Sequence, residues 1–336
     1  MTTHHSMGGT VTSHPGPIVV LGDVFLDIDV DGHCERYGQD DAPIVDVTAT
    51  RYRPGGAGLA ARLAAGDADE VVLIGGFADD HAGHQLRALL EPYVQVIGVP
   101  LHGTTICKQR VCADGSCAGG VGGERRVLAR CDSGDGKVAP GPMPAEVDTA
   151  LARASGVLVS DYGHGMTAHP QIRSLLRTLA HRIPVVWDPH PLGSLPIPDT
   201  AIVTPNRGET MRLLGSASTI RDAATLARRW SAHAVAVTLG AEGAYLCGER
   251  FPAALRVRVP PERRAGAGAD NCGAGDRFAA AVTVVLAEGE SAEPAVRHAV
   301  HAAAEFVCHG GASSVAEPEP AAVAAMAAAA DVVGWR

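Results

Sequence analysis

The chain has 336 residues, 46% of them hydrophobic and 19% charged, with a net charge of −9 at neutral pH. That balance suits a folded globular protein and excludes a disordered one, and the acidity speaks against a nucleic-acid partner. It leaves room for a phosphorylated ligand held by a few local cations and backbone amides.

Residues 1–17 are polar, lack the basic-then-apolar layout of a secretory signal, and read as a flexible leader. No apolar run reaches the roughly 18 to 20 residues of a membrane span. The eight cysteines form no evenly spaced framework. A cytoplasmic protein without a membrane partner is therefore expected.

The first element is Ile18 to Leu21, an apolar run ending in Gly22-Asp23, as a buried strand of a parallel sheet would. Val30 to Thr50 alternates loosely and contains Pro43, which predicts short exposed strands. Pro54-Gly55-Gly56-Ala57-Gly58 then opens an Ala-rich helical segment to about Gly66, and Val71 to Ile74 is again a buried strand. The same rhythm recurs at 157–159, 185–187, 201–203 and 234–237, with helices expected over 171–181 and 220–231. Such alternation predicts an α/β fold, a mostly parallel sheet with helices on both faces and ligands at the carboxyl ends of the strands. Thr104 to Arg130 is Gly-rich with β-like pieces and, with 30–50, is expected to form a small separate sheet. The Ala-rich stretch 321–330 predicts a terminal helix.

Three motifs are set aside. Cys107, Cys112, Cys117 and Cys131, with His102 nearby, lack the paired spacing of a structural zinc site and read as free thiols. Gly266-x-Gly268 lacks the third glycine of a dinucleotide fingerprint. No Gly-x-x-x-x-Gly-Lys-Ser/Thr loop occurs, so ATP would need another cradle.

The strongest signal is Ala269-Asp270-Asn271-Cys272-Gly273-Ala274-Gly275-Asp276, followed by the apolar helical segment Phe278 to Ala287. Glycines let backbone N–H groups approach a phosphate closely, and a helix N-terminus adds partial positive charge. Asp276 at that junction is suited to accept a hydroxyl proton. The same residues also fit a plain Gly-rich turn with Asp276 as an N-cap.

Asp270 to Asp276 resembles the C-terminal signature of the PfkB family of carbohydrate kinases, usually Asp-Thr-x-Gly-Ala-Gly-Asp, with Cys272 in place of a small hydroxyl residue. The resemblance runs over about residues 18–318 and implies a ribokinase-like three-layer sandwich. Its small β lid would be formed by segments 30–50 and 104–130, with 319–336 as a C-terminal helix and tail. It implies that Asp276 is the general base, that the Gly273, Ala274 and Gly275 amides form an anion hole, and that Asp270 helps hold a monovalent cation such as potassium. The first two roles also follow from phosphoryl-transfer chemistry, which depends on positioning and charge stabilisation.

Asn206-Arg207-Gly208-Glu209 resembles the family's Asn-x-x-Glu motif, which would place Asn206 near the phosphates of MgATP and Glu209 on magnesium through water. Alone, it also fits a loop entering a helix. Thr238-Leu239-Gly240-Ala241-Glu242-Gly243 resembles the nucleotide-binding turn, implicating Thr238, Gly240 and Gly243, and alone also fits a hairpin turn. Gly55-Gly56 resembles the sugar-binding di-glycine, and His301 falls where relatives line the adenine pocket, although an exposed or core histidine is the plainer reading.

Within the family, Gly22 to Asp27, Ser160 to Gly165 and Thr204-Pro205-Asn206 resemble motifs of the kinase domain acting on D-glycero-D-manno-heptose 7-phosphate. Asp27 would then bind sugar hydroxyls, with Asp23 beside it, rather than sit as a strand-end turn. Lys108 and Arg110 would meet a substrate phosphate or remain solvated charges. Two positions depart from the pattern: Leu59 replaces a sugar-binding Asn, and His164 replaces a Lys. An apolar Leu59 leaves a buried sugar hydroxyl unsatisfied at a cost of about 1–3 kcal/mol, so ordinary heptose 7-phosphate is expected to be a poor substrate. The expected function is ATP-dependent phosphorylation of a sugar phosphate. A kinase of a free sugar or nucleoside, and a catalytically silent sugar- or nucleotide-binding regulator, are the alternatives. The lid resembles one that pairs two subunits, which implies a homodimer.

Overall fold

The computed structural model describes residues 16–116, 125–215, 220–248, 251–266 and 268–317. The expected Ala-rich helix at 321–330, Cys117 and most of the leader lie outside them. Pro17, assigned to the leader, is fixed: its carbonyl accepts from the Ser155 N–H at 2.9 Å and the Ser155 hydroxyl at 3.2 Å.

The strands are β1 (Ile18–Gly22), β2 (Val24–Tyr37), β3 (Pro43–Gly56), β4 (Val71–Phe77), β5 (Gln95–His102), β6 (Cys107–Asp114), β7 (Arg126–Ser133), β8 (Lys137–Val138), β9 (Gly156–Ser160), β10 (Val185–Asp188), β11 (Ile202–Val203), β12 (Ala234–Thr238), β13 (Ala244–Gly248) and β14 (Phe251–Val257). The helices are α1 (Ala57–Ala64), α2 (His81–Leu90), α3 (Ala145–Arg153), α4 (Pro170–Ala180), α5 (Arg207–Leu214), α6 (Ala224–Trp230), α7 (Ala274–Ala287) and α8 (Ala292–Cys308).

Ten strands form one sheet in the order β14-β13-β12-β11-β10-β9-β1-β4-β5-β8, parallel from β12 through β5. Strand β1 shows why its sequence is continuously apolar. Ile18 and Val20 join the core beneath α1, α2, α7 and α8, whereas Val19 and Leu21 join the opposite core with α3, α4 and α6. Both faces are covered, so neither can be polar. The antiparallel β13 and β14 extend the edge in a way the strand–helix rhythm does not reveal. No helix among the described residues is long and apolar enough to cross a membrane.

The remaining four strands form a second sheet in the order β3-β2-β6-β7. Its strands are longer than the short pieces expected: β2 begins at Val24 and β3 runs to Gly56. Asp27 therefore lies inside a strand, not in a strand-end turn. Register sets out two rows of charge across this sheet, Arg53-Asp27-Lys108-Asp132 and Arg51-Asp29-Arg110-Arg130.

Candidate active site

The Gly-rich turn ends at Gly273, which caps α7 with φ of 79° in the left-handed region. A Cβ there would lie 2.8 Å from Leu59 Cδ2, so glycine is required by both conformation and space. Asp276 follows in the first turn of α7 and is buried. Burial pushes its carboxyl up to about 7, opposed by a hydrogen bond that Tyr162 Oη donates to Asp276 Oδ1 at 3.1 Å.

Three cavities meet at this turn. The largest, of about 490 Å³, lies beneath the second sheet and is lined by Asp27, Arg53, Gly56, Leu59, Lys108, Arg110, Arg130, Tyr162, Asp270, Gly273 and Asp276. A second, of about 240 Å³, lies between the Gly240–Gly243 turn and α8, with Thr238, Gly240, Gly243, Ala274, Val300, Ala303, Ala304 and Val307 on its walls. A third, also about 240 Å³, holds Asp188, Thr204, Asn206, Glu209, Thr238, Gly275 and Asp276. Gly273, Ala274 and Gly275 thus each border a different cavity, and Asp276 borders the first and third.

The substrate residues expected from sequence divide into those that line the large cleft and those that do not. Asp27, Gly56, Leu59, Lys108 and Arg110 line it. Burial raises the Asp27 carboxyl, against the pull of Arg53 and Lys108. Gly55 is not on the wall: a side chain there would strike the Phe25 ring, so it makes room behind Asp27. Asp23 is also absent, because its carboxylate is consumed by the N–H groups of Tyr162 at 2.9 Å, His164 at 3.0 Å and Met166 at 3.3 Å. It staples the Ser160–Met166 loop to the end of β1 instead of facing a sugar. His164 lies outside the lining too, half-buried, with burial lowering its pKa.

Arg110 is committed within the protein. Its Nε donates to Asp29 Oδ1 at 2.8 Å and its Nη2 to Asp270 Oδ2 at 3.0 Å. Asp29, almost wholly buried, is also paired with Arg53. This bears directly on the cation expected at Asp270. Its Oδ2 accepts from Arg110 and from Ser313 Oγ at 3.1 Å, and its Oδ1 accepts from the Cys272 N–H at 3.0 Å. Burial alone would raise Asp270, but the Arg110 hydrogen bond keeps it below the usual carboxylate range. A guanidinium in contact with the carboxylate repels a second cation, which weighs against a monovalent ion bound by the Asp270 side chain.

On the nucleotide side, Asn206 and Glu209 form a reciprocal capping box at the start of α5, with Asn206 N–H donating to Glu209 Oε2 at 2.8 Å and Glu209 N–H to Asn206 Oδ1 at 2.9 Å. The loop-into-helix reading and a place on the cavity wall hold together. Burial raises Glu209, and raises Asp188 well above the carboxylate range, the latter further through Asp276. Oxygen donors of this kind around a polar cavity fit a hydrated magnesium ion, which takes one or two carboxylates and keeps several waters. His301 is not on the second cavity: α8 presents Val300, Ala303, Ala304 and Val307 there, and His301 falls one residue off that face.

Sequence reasoning passed over four residues of the site. Tyr162 stood inside a quoted motif without a role, and Asp188 ends an ordinary strand. Arg53 and Arg130 were missed although alternation marks them, since Arg51/Arg53 and Arg130/Asp132 repeat the two-residue spacing of Asp27/Asp29 and Lys108/Arg110.

Residues 175–320 match the model of the pfkB family carbohydrate kinase. The chain is 42% identical over 308 residues to the bifunctional protein HldE of Streptomyces coelicolor, covering 89% of this chain and 62% of that protein. It is 31% identical over 314 residues to HldE of Azorhizobium caulinodans, covering 90% and 63%. The chain thus spans less than two thirds of the length of these relatives. Ribokinase of Arabidopsis thaliana complexed with ribose and ATP has a TM-score of 0.64 at 20% identity, covering 93% of this chain and 98% of that one. Phosphofructokinase-2 of Escherichia coli in complex with potassium has a TM-score of 0.63 at 19% identity, covering 88% and 94%. The fold is ribokinase-like.

Proposed function

We propose, from the match of residues 175–320 to the pfkB family carbohydrate kinase model and the likeness to HldE proteins, that the chain is a carbohydrate kinase that transfers the γ-phosphoryl group of MgATP to a hydroxyl of a sugar phosphate resembling heptose 7-phosphate. The observation that carries the reading is the meeting of three cavities at the Gly273–Asp276 turn. A sugar in the largest, an adenine in the second and phosphates in the third would converge on one buried carboxylate.

Asp276 takes the proton of the attacking hydroxyl, and a carboxyl held near 7 is well matched to that task at neutral pH. Tyr162 fixes the orientation of the carboxylate from the cleft side. The amides of Gly273, Ala274 and Gly275, at the positive end of α7, stabilise charge on the phosphoryl group in flight. Asp188, Glu209 and Asn206 would hold magnesium through water, and the ion would neutralise phosphate charge. Asp27, buried beside Lys108, accepts hydrogen bonds from sugar hydroxyls.

A cytoplasmic homodimer accompanies this reading. Tyr37, Val47 and Val127, all on the second sheet, are large exposed apolar residues that a second copy would cover. Light scattering at micromolar concentration tests it, and a monomer mass would remove it. The function is tested by ADP release from MgATP across a panel of sugars and sugar phosphates. Turnover confined to phosphorylated heptoses is expected; turnover with free sugars alone favours the free-sugar kinase, and none at all favours a silent binder.

A further inference from the structure

The third cavity is walled largely by acids. Asp161, Asp188, Glu209 and Asp276 line it, and among the described residues no lysine or arginine does. A phosphate entering such a space needs donors, and two of the hydroxyls on the wall are already spent. Thr204 Oγ1 donates to Asp188 Oδ1 at 2.7 Å, and Tyr162 Oη donates to Asp276. The one basic side chain among the lining residues is His190.

His190 follows the carboxyl end of β10 and stands between Pro189 and Pro191. Each proline locks its own φ, and Pro191 also restricts His190, so the segment has few conformations to choose from. It is tied down further: Gly193 N–H donates to the His190 carbonyl at 2.9 Å, and Ser194 N–H to Asp161 Oδ2 at 2.7 Å. The imidazole lies 5.6 Å from the Tyr162 ring at an interplanar angle of 32°. Its Nδ1 accepts from the Leu192 N–H at 3.3 Å. A ring nitrogen that accepts carries no hydrogen, so the ring hydrogen sits on Nε2. Nε2 has no hydrogen-bond or ion-pair partner among the described residues. The loop thus fixes the ring, its tautomer and an uncommitted donor on the wall of the cavity.

We propose that His190 is a further catalytic residue, whose Nε2–H donates to an oxygen of the phosphoryl group passing from MgATP to the sugar. In that step the sugar oxygen bonds to the γ-phosphorus, and the bond from that phosphorus to the β–γ bridging oxygen breaks. ADP leaves with the electron pair, the hydroxyl proton goes to Asp276, and His190 keeps its own hydrogen throughout. Charge on the equatorial oxygens of the group in flight is met by donors from two elements, the Gly275 amide at the start of α7 and the imidazole after β10. Tyr162, in contact with both His190 and Asp276, sets the donor beside the base. This role rests on the kinase reading of the site.

The test compares wild type with H190A, H190F and H190Q. H190F keeps an aromatic face against Tyr162 without the N–H, and H190Q keeps an amide N–H without the ring. ADP release is measured with the sugar phosphate that wild type turns over fastest, and calorimetry measures binding of MgADP with and without aluminium fluoride, a mimic of the phosphoryl group in flight. H190A and H190F should each lose about a hundredfold in kcat and in affinity for the aluminium fluoride complex, with MgADP affinity unchanged and H190Q intermediate. H190F as active as wild type, or MgADP weakened as much as its aluminium fluoride complex, overturns the donor role. ADP release by wild type that H190A matches within twofold overturns the role and keeps the kinase reading. A wild type that releases no ADP with any sugar overturns the kinase reading and the role with it.

Discussion

Tyr162 Oη donates a hydrogen bond to Asp276 Oδ1 at 3.1 Å, and the backbone N–H of the same tyrosine donates to Asp23 Oδ2 at 2.9 Å. Asp276 is therefore tied through one residue to the carboxyl end of β1, the middle of the sheet.

The hydrogen bond favours the ionised form of Asp276, whose carboxyl titrates near 7. Tyr162→Phe should shift the acid limb of the kcat/KM profile upward in pH and cut activity severalfold at pH 7, with much of it regained at pH 9. A pH profile unchanged from wild type would show that Tyr162 does not act on the base.

Asp276 also sets a pH dependence of stability. Its folded pKa is raised above the unfolded value near 3.8, so the folded state holds the proton longer and stability falls as pH rises from about 4 to about 7. Asp276→Asn lacks this term. Its Tm should exceed that of wild type by a margin that grows between pH 4 and 7 and then stays level. A margin independent of pH would contradict the burial assigned to this carboxyl.

The turn that holds Asp276 was legible in sequence because its chemistry is local: glycines, an acid and an apolar helix within one octapeptide. The strand–helix rhythm likewise gave away the parallel sheet. The charged face of the second sheet was not legible as a unit. Asp29, Arg110 and Arg130 become neighbours only through the register of strands far apart in the chain. Asp23 was misassigned because an acid at a strand end reads the same whether it grips a ligand or, as here, three backbone amides. His301 was displaced by one residue of helix rotation, which composition cannot fix.

Arg110 occupies the carboxylate at which a monovalent cation was expected. Activity should be the same within twofold in potassium, sodium or tetramethylammonium salts at fixed ionic strength. Arg110→Ala should destabilise the protein by about 3 kcal/mol, because it leaves buried Asp29 with less compensation. Activation of wild type by potassium beyond fivefold would show that a cation binds there despite Arg110.

Leu59 lines the cleft and packs beneath Gly273. A sugar hydroxyl buried against it finds no partner, so wild type should use ordinary D-glycero-D-manno-heptose 7-phosphate poorly. Leu59→Asn should raise kcat/KM for that compound about tenfold. A wild-type kcat/KM already above about 10⁵ M⁻¹s⁻¹ would remove the argument.

The kinase reading assigns the carboxylate where the three cavities meet as the base of a phosphoryl transfer. The most direct test is the rate of ADP release from MgATP with a phosphorylated heptose, for wild type and Asp276→Asn, alongside MgATP binding to each. Sugar-dependent turnover by wild type is expected, with a kcat lowered by about 10² to 10⁴ in the variant and nearly equal MgATP affinity. Turnover by the variant within a few fold of wild type would contradict it.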